Sequence, residues 1–149
     1  MDFVKVRWTN NRQFIAWDAP GHTVVMDAPQ EFGGESAGMR PLQVLLAGLA
    51  GCSAMDVVSI LEKKRQRVLG LEVHVHARQR EDEFPRIYEW VELEFRVTGS
   101  DIAEEAVRRA IELSMEKYCS VAGMLGPQVT LETRFIVLNA VDDPLTPDE

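Results

Sequence analysis

One stretch constrains the fold more than any other: Pro41 to Arg65, PLQVLLAGLAGCSAMDVVSILEKKR, reads as a single helix with one cysteine, Cys52, near its middle. Pro41 suits a first helical turn, where its missing N–H costs nothing. Neither a further proline nor a run of β-branched residues interrupts the rest of the stretch. The apolar set Leu42, Leu45, Leu46, Leu49, Val57, Ile60 and Leu61 recurs at three- and four-residue spacing, the signature of one helix face. Ala47, Gly48, Ala50, Gly51 and Ala54 lie between them and would let another backbone approach closely. A core helix packed on more than one side is therefore expected. Leu42 to Leu61 also matches the nominal bilayer span of about 20 residues. Gln43, Ser53, Asp56 and Ser59 oppose that reading, since an aspartate alone costs roughly 2.5 kcal/mol at mid-bilayer.

At 149 residues the chain has the size of one domain, and a single domain over 1–149 is expected, with an acidic C-terminal tail from about residue 140. A formal net charge of −8 argues against nucleic acid and against an anionic membrane surface, because both require a basic face. The opening residues MDFVKVRWTN lack the apolar core of a secretory signal, so the cytoplasm is the expected compartment. Two cysteines there point to redox or metal chemistry before they point to a structural staple.

Three short strand-like runs precede the helix: Asp2 to Trp8, Gln13 to Asp18 and His22 to Asp27, joined by turn residues Thr9-Asn10-Asn11 and Pro20-Gly21. The glycine-bearing loop APQEFGGESAGMR, Ala28 to Arg40, comes next, and loops of that length are often functional. After the helix, KKRQRVLG supplies cations for the C-terminal dipole and Gly70 as a stop. Leu71 to Gln79 and Ile87 to Val97 alternate as strands of a hairpin, with Glu89, Glu92 and Glu94 on a solvated face. A second helix with apolar positions from Ile102 to Ser114 or Met115 runs out at Lys117-Tyr118. Cys119 then opens a short segment, and Val129 to Leu138 forms a last strand. The order βββ, helix, ββ, helix, β indicates an α+β fold with antiparallel sheet and segregated helices.

The cysteines are the leading chemical candidates. A reactive thiolate needs a pKa below the usual 8.5 or so, yet Cys52 sits about ten residues into its helix, beyond the reach of the N-terminal dipole. Arg40 precedes the helix, roughly 18 Å from Cys52 along the axis at about 1.5 Å per residue. Any contact from Arg40 or Gln43 would then come from a second copy, while Arg7 and Arg12 belong to the first hairpin. The plain alternative is a small buried cysteine. Cys119, at a helix break, is placed to receive both dipole and access, and the two cysteines would make an attacking and resolving pair if folding brings their Cα atoms within about 7 Å.

These residues carry a family resemblance. FGGESAG with the proline three residues on (Phe32 to Pro41), LLAGLAGCSAMDVVSILEKKR (Leu45 to Arg65) and SMEKYCSV (Ser114 to Val121) resemble the OsmC-like branch of the OsmC/Ohr family of thiol-dependent hydroperoxide reductases. The resemblance implies an OsmC-like fold, an antiparallel sheet wrapped around a long central helix in an intertwined homodimer. It implies Cys52 as the peroxidatic and Cys119 as the resolving residue, organic hydroperoxides as substrates, and a dithiol reductant such as a lipoylated protein. Other members carry a glutamate in the first turn after the motif proline, orienting an arginine; here that turn reads Leu42-Gln43. Arg12, Arg40 and Gln43 are the candidates to support the thiolate instead.

No cofactor is expected. His74 and His76 face the same way on a strand but lack a third ligand at recognisable spacing, and are read as solvated. Asp56, one turn after Cys52, either accepts a hydrogen bond at the site or satisfies a buried polar contact. A second functional reading is an OsmC-like dimeric protein that binds a small apolar molecule without peroxidase activity.

Overall fold

The structure, a computed structural model, describes residues 1–140, so nearly all of the expected acidic tail lies outside the described residues. Internal contacts divide the chain into two compact units, Met1–Ala47 and Gly48–Glu149. The class is mixed α+β, as expected, with two three-stranded sheets and one long helix among the described residues.

The first unit is an antiparallel meander of β1 (Val4–Asn10), β2 (Gln13–Asp18) and β3 (Thr23–Met26). Asp18 builds its second turn: one carboxylate oxygen accepts the N–H groups of Gly21 and His22, at 2.9 and 2.8 Å, and the other meets the His22 ring at 2.8 Å. The FGGESAG loop is organised by Asp27. Its carboxylate accepts backbone N–H bonds from Ala28, Glu35 and Ala37 at 2.7, 3.1 and 3.1 Å. Gly34 is required there, because a Cβ would lie 1.9 Å from the Ala28 carbonyl oxygen.

Helix α1 (Pro41–Lys63) begins with a side-chain cap: Gln43 Oε1 accepts the Arg40 N–H at 2.9 Å. It ends at Lys63, within two residues of the expected Arg65, but Gly70 is not the residue that stops it. Arg65 takes the left-handed conformation at φ 57°, with Arg65 N–H donating to the Glu62 carbonyl and Gln66 N–H to the Leu61 carbonyl. This pair of bonds satisfies the last carbonyls of the helix, and releases Gly70 into a strand. Leu49, Ser53, Val57 and Leu61, one face at four-residue spacing, are the buried positions of α1. The expected packing on more than one side is not seen around these positions among the described residues: Met55 is 76% exposed, and a Cβ at Gly48 or Gly51 would meet open space. α1 is the one helix, among the described residues, long and apolar enough to cross a membrane.

In the second unit β4 (Arg67–Gln79) and β5 (Tyr88–Ser100) form the expected hairpin. β6 (Thr130–Asn139) then pairs parallel to β5, so this sheet is mixed where antiparallel pairing was expected. Parallel neighbours need a long crossover, and α2 (Glu104–Leu113) and α3 (Ser120–Leu125) provide it. β5 is central, and its Val91, Leu93, Phe95 and Val97 are fully buried at period two. Glu94, expected to be solvated, is 3% exposed. The parallel β6 sets Arg134 opposite it, and Arg134 and Arg96 both pair with its carboxylate. The Arg96 guanidinium foremost holds the Glu94 carboxyl below its ordinary value.

Candidate active site

The second unit brings Cys52 and Cys119 together. Their sulfurs and a carboxylate oxygen of Asp56 all lie within 4.8 Å of one another. Two helical residues four apart share a face, so α1 delivers Cys52 and Asp56 to one point, and Cys119 arrives from the crossover. Both cysteines are free thiols; Cys52 is half-buried and Cys119 is 5% exposed.

The approach of Cys119 is set by an irregularity at the end of α2. From Ser114 to Tyr118 the helix widens into a π turn, closed by the Cys119 N–H donating to the Ser114 carbonyl at 2.7 Å. Such turns recur at functional sites because the extra residue re-aims the chain beyond it. Cys119 leaves the turn extended and becomes the N-cap of α3, its sulfur accepting the Ala122 N–H at 3.5 Å. Burial pushes the Cys119 thiol up; the Ala122 N–H opposes this and the neighbouring Cys52 adds to it. The short α3 therefore does not activate Cys119 in the way its position at a helix start suggests: removal from water outweighs the capping bond.

Ser114 is the hub beneath the thiols. Its hydroxyl donates to Asp56 Oδ2 at 2.9 Å and lies 3.0 Å from the Ser53 hydroxyl, and both serines are fully buried. A carboxylate within an apolar helix must find donors or stay at the surface, and Asp56 finds one in Ser114. Helical spacing groups Ser114 with the apolar stripe of α2; the signal that marks it instead is Ser53 and Asp56, two polar residues beside Cys52 within a mostly apolar helix. Beside Asp56 opens a cavity of about 340 Å3, whose walls include Ile60, Lys63, Leu113 and Tyr118. Tyr118 is half exposed, with the Lys117 ammonium 5.2 Å from its ring centre.

The three residues expected from sequence to support the thiolate lie in the first unit. Arg40 and Gln43 meet each other at the helix start, where the Gln43 oxygen is committed to the backbone. Arg12 sits in the β1–β2 turn and donates to the Asn11 carbonyl at 3.3 Å. His74 pairs with Glu72 at 3.0 Å on the exposed strand face.

Known proteins share this chain's sequence and fold. A sequence model of the OsmC family, described as OsmC-like protein, matches residues 33–134. The chain is 42% identical to Protein YhfA of Escherichia coli strain K12 over 136 residues, covering 91% of this chain and 98% of that protein. A hypothetical protein from Aquifex aeolicus VF5 superposes with a TM-score of 0.82 at 29% identity, over 95% of this chain and 98% of that one. The organic hydroperoxide resistance protein OhrB of Bacillus subtilis superposes with a TM-score of 0.64 over 91% of this chain and 98% of its own. At 16% identity, that likeness is one of fold.

Proposed function

The chain belongs to the OsmC-like protein family, and from that premise we propose that it is a thiol peroxidase that reduces organic hydroperoxides, with Cys52 as nucleophile and Cys119 as resolving thiol. The observation that carries this reading is the meeting of two thiols, far apart in sequence, within 4.8 Å. Their unequal burial supports the division of roles. Half-buried Cys52 is open to a substrate, whereas buried Cys119, its thiol pushed up, is held protonated until it is needed.

The Cys52 thiolate attacks the peroxide O–O bond, forming a sulfenic acid and expelling an alkoxide that takes up a proton to leave as the alcohol. Cys119 then gives up its proton and attacks the sulfenic sulfur, forming the disulfide and releasing water. The sum is two thiols and one hydroperoxide converted to a disulfide, an alcohol and water. A dithiol reductant, such as a lipoylated protein, restores the pair by exchange. Arg40 and Gln43 are proposed to serve Cys52 from a second copy of the chain, and Arg12 of the first hairpin is proposed as a further cation that supports the thiolate.

A homodimer is part of the same proposal. Asp27 is the single buried residue among Met1–Ala47. Val6, Trp8, Phe14 and Val24, which share one face of the β1–β2–β3 sheet, are 53, 63, 37 and 43% exposed. An apolar sheet face of this kind calls for a cover, as do the uncovered sides of α1. The protein should sediment at twice its chain mass of 16.8 kDa, and a monomer would refute the dimer. The family match crosses both units, which supports treating 1–149 as one working domain, and we place it in the cytoplasm.

The test of the activity is hydroperoxide consumption with dihydrolipoamide as reductant. Turnover should vanish in Cys52→Ser. In Cys119→Ser a single turnover should leave Cys52 oxidised and trapped by a sulfenic acid reagent. Wild-type turnover that survives Cys52→Ser would overturn the assignment.

A further inference from the structure

The cluster of two sulfurs and one carboxylate also has the composition of a metal site. We propose that reduced Cys52, Asp56 and Cys119 bind one thiophilic divalent cation of the Zn2+ class, and that this bound state and the disulfide exclude each other.

The donors are of the right kind and number. Cysteine sulfur and carboxylate oxygen are both common zinc ligands, and three protein ligands with an open fourth position make a site accessible from solvent. The geometry is close to what the ion needs. With Zn–S near 2.3 Å, a tetrahedral ion holds its two sulfurs about 3.8 Å apart. The cluster lies within 4.8 Å throughout, so its two sulfurs have about 1 Å or less to close, and each sulfur and the carboxylate oxygen roughly 1.3 Å or less. Half-buried Cys52 leaves a path of entry.

A ligating carboxylate is usually fixed by a further hydrogen bond that does not touch the metal. Here the Ser114 hydroxyl donates to Asp56 Oδ2 at 2.9 Å, and the Ser53 hydroxyl steadies Ser114 in turn. That pair holds Asp56 toward the thiols whether or not an ion is present. The mixed sulfur and oxygen set selects against Mg2+ and Ca2+, which take oxygen ligands alone.

Loading displaces whatever protons the two cysteines hold, so up to two protons are released per ion bound. A hydroperoxide that oxidises the loaded site consumes two protons. It yields the disulfide, the free cation, an alcohol and water, because a disulfide sulfur no longer offers a thiolate. Metal binding itself requires no peroxidase activity, and it is measured without peroxide, so the two readings stand or fall separately.

The experiment is anaerobic titration of the reduced full-length protein with Co2+ as spectroscopic probe, then with Zn2+ in competition with a chromophoric chelator. One ion per protomer with a thiolate-to-cobalt charge-transfer band is expected. Cys52→Ser and Cys119→Ser should each weaken Zn2+ binding at least tenfold and reduce the band. Asp56→Asn should weaken binding while retaining the two-thiolate band. Ser114→Ala should weaken it about 10-fold through the loss of support to Asp56. Circular dichroism on each variant separates loss of the site from loss of the fold, and Asp56→Asn leaves both thiols in place as a second arm. Binding without the charge-transfer band, affinity unchanged in folded Cys119→Ser and Asp56→Asn, or full Zn2+ binding by the disulfide form would overturn the proposal.

Discussion

Ser114→Ala is the sharpest test of how the site is held. The hydroxyl makes two buried contacts: to Asp56 at 2.9 Å and to Ser53 at 3.0 Å. A hydrogen bond to a carboxylate contributes about 1.5–3 kcal/mol and a neutral one about 1 kcal/mol. Asp56 is only partly buried, so water recovers some of its loss, and the substitution should cost about 2–3 kcal/mol in total. For a chain of this size, at about 2–4 °C per kcal/mol, the melting temperature should fall by roughly 5–10 °C. The assay is urea unfolding at fixed protomer concentration, read as a lower midpoint at constant slope. Ser53→Ala completes a double-mutant cycle. Once Ser114 is gone, Ser53 loses its hydroxyl partner and retains the Met115 sulfur at 3.7 Å. The double variant should therefore cost about 1 kcal/mol less than the sum of the singles. Additive singles, or a Ser114→Ala cost below about 0.5 kcal/mol, would refute the idea of a coupled network beneath the thiols.

Asp27 should make the FGGESAG loop acid-sensitive. The Ala37 N–H foremost, against the opposing effect of burial, and the Ala28 and Glu35 N–H groups hold its carboxyl below 3.8. The stabilisation is therefore present above the ordinary carboxyl range and is lost as pH falls through the folded-state value. Protease cleavage within Ala28–Arg40 should rise on acidification in wild type, and should already be high and flat with pH in Asp27→Asn. Gly34→Ala should open the same loop at neutral pH, because its Cβ meets backbone at 1.9 Å, and wild-type resistance to cleavage in that variant would contradict the geometry. Phe95→Ala, at a fully buried position of the central strand, should cost about 3–5 kcal/mol in denaturant unfolding.

Periodicity and turn chemistry made most elements legible. The meander, α1, the β4–β5 hairpin and the last strand lie close to where alternation, Pro41 and the turn residues put them. Gly70 reads as a helix stop, but the helix closes earlier through a local bend, with Arg65 in the left-handed conformation. Other local signals failed where a distant partner decided the outcome. Glu94 reads as solvated because its own strand offers no hint of Arg134, which arrives from β6 across a parallel register. The direction of β6 has no local signature, since alternation is the same for either direction of pairing.

The site divides along the same line. The sequence by itself determined that α1 would carry Cys52 and Asp56 on one face, because helical periodicity places residues four apart side by side. It also determined that a second cysteine would stand at a helix break. Only the tertiary structure decided that Cys119 meets them, through a π turn whose geometry depends on how α2 ends above Ser114. It likewise decided that Cys119 is buried with its thiol pushed up, since the water a thiol loses is set by everything packed around it and not by its neighbours in the chain.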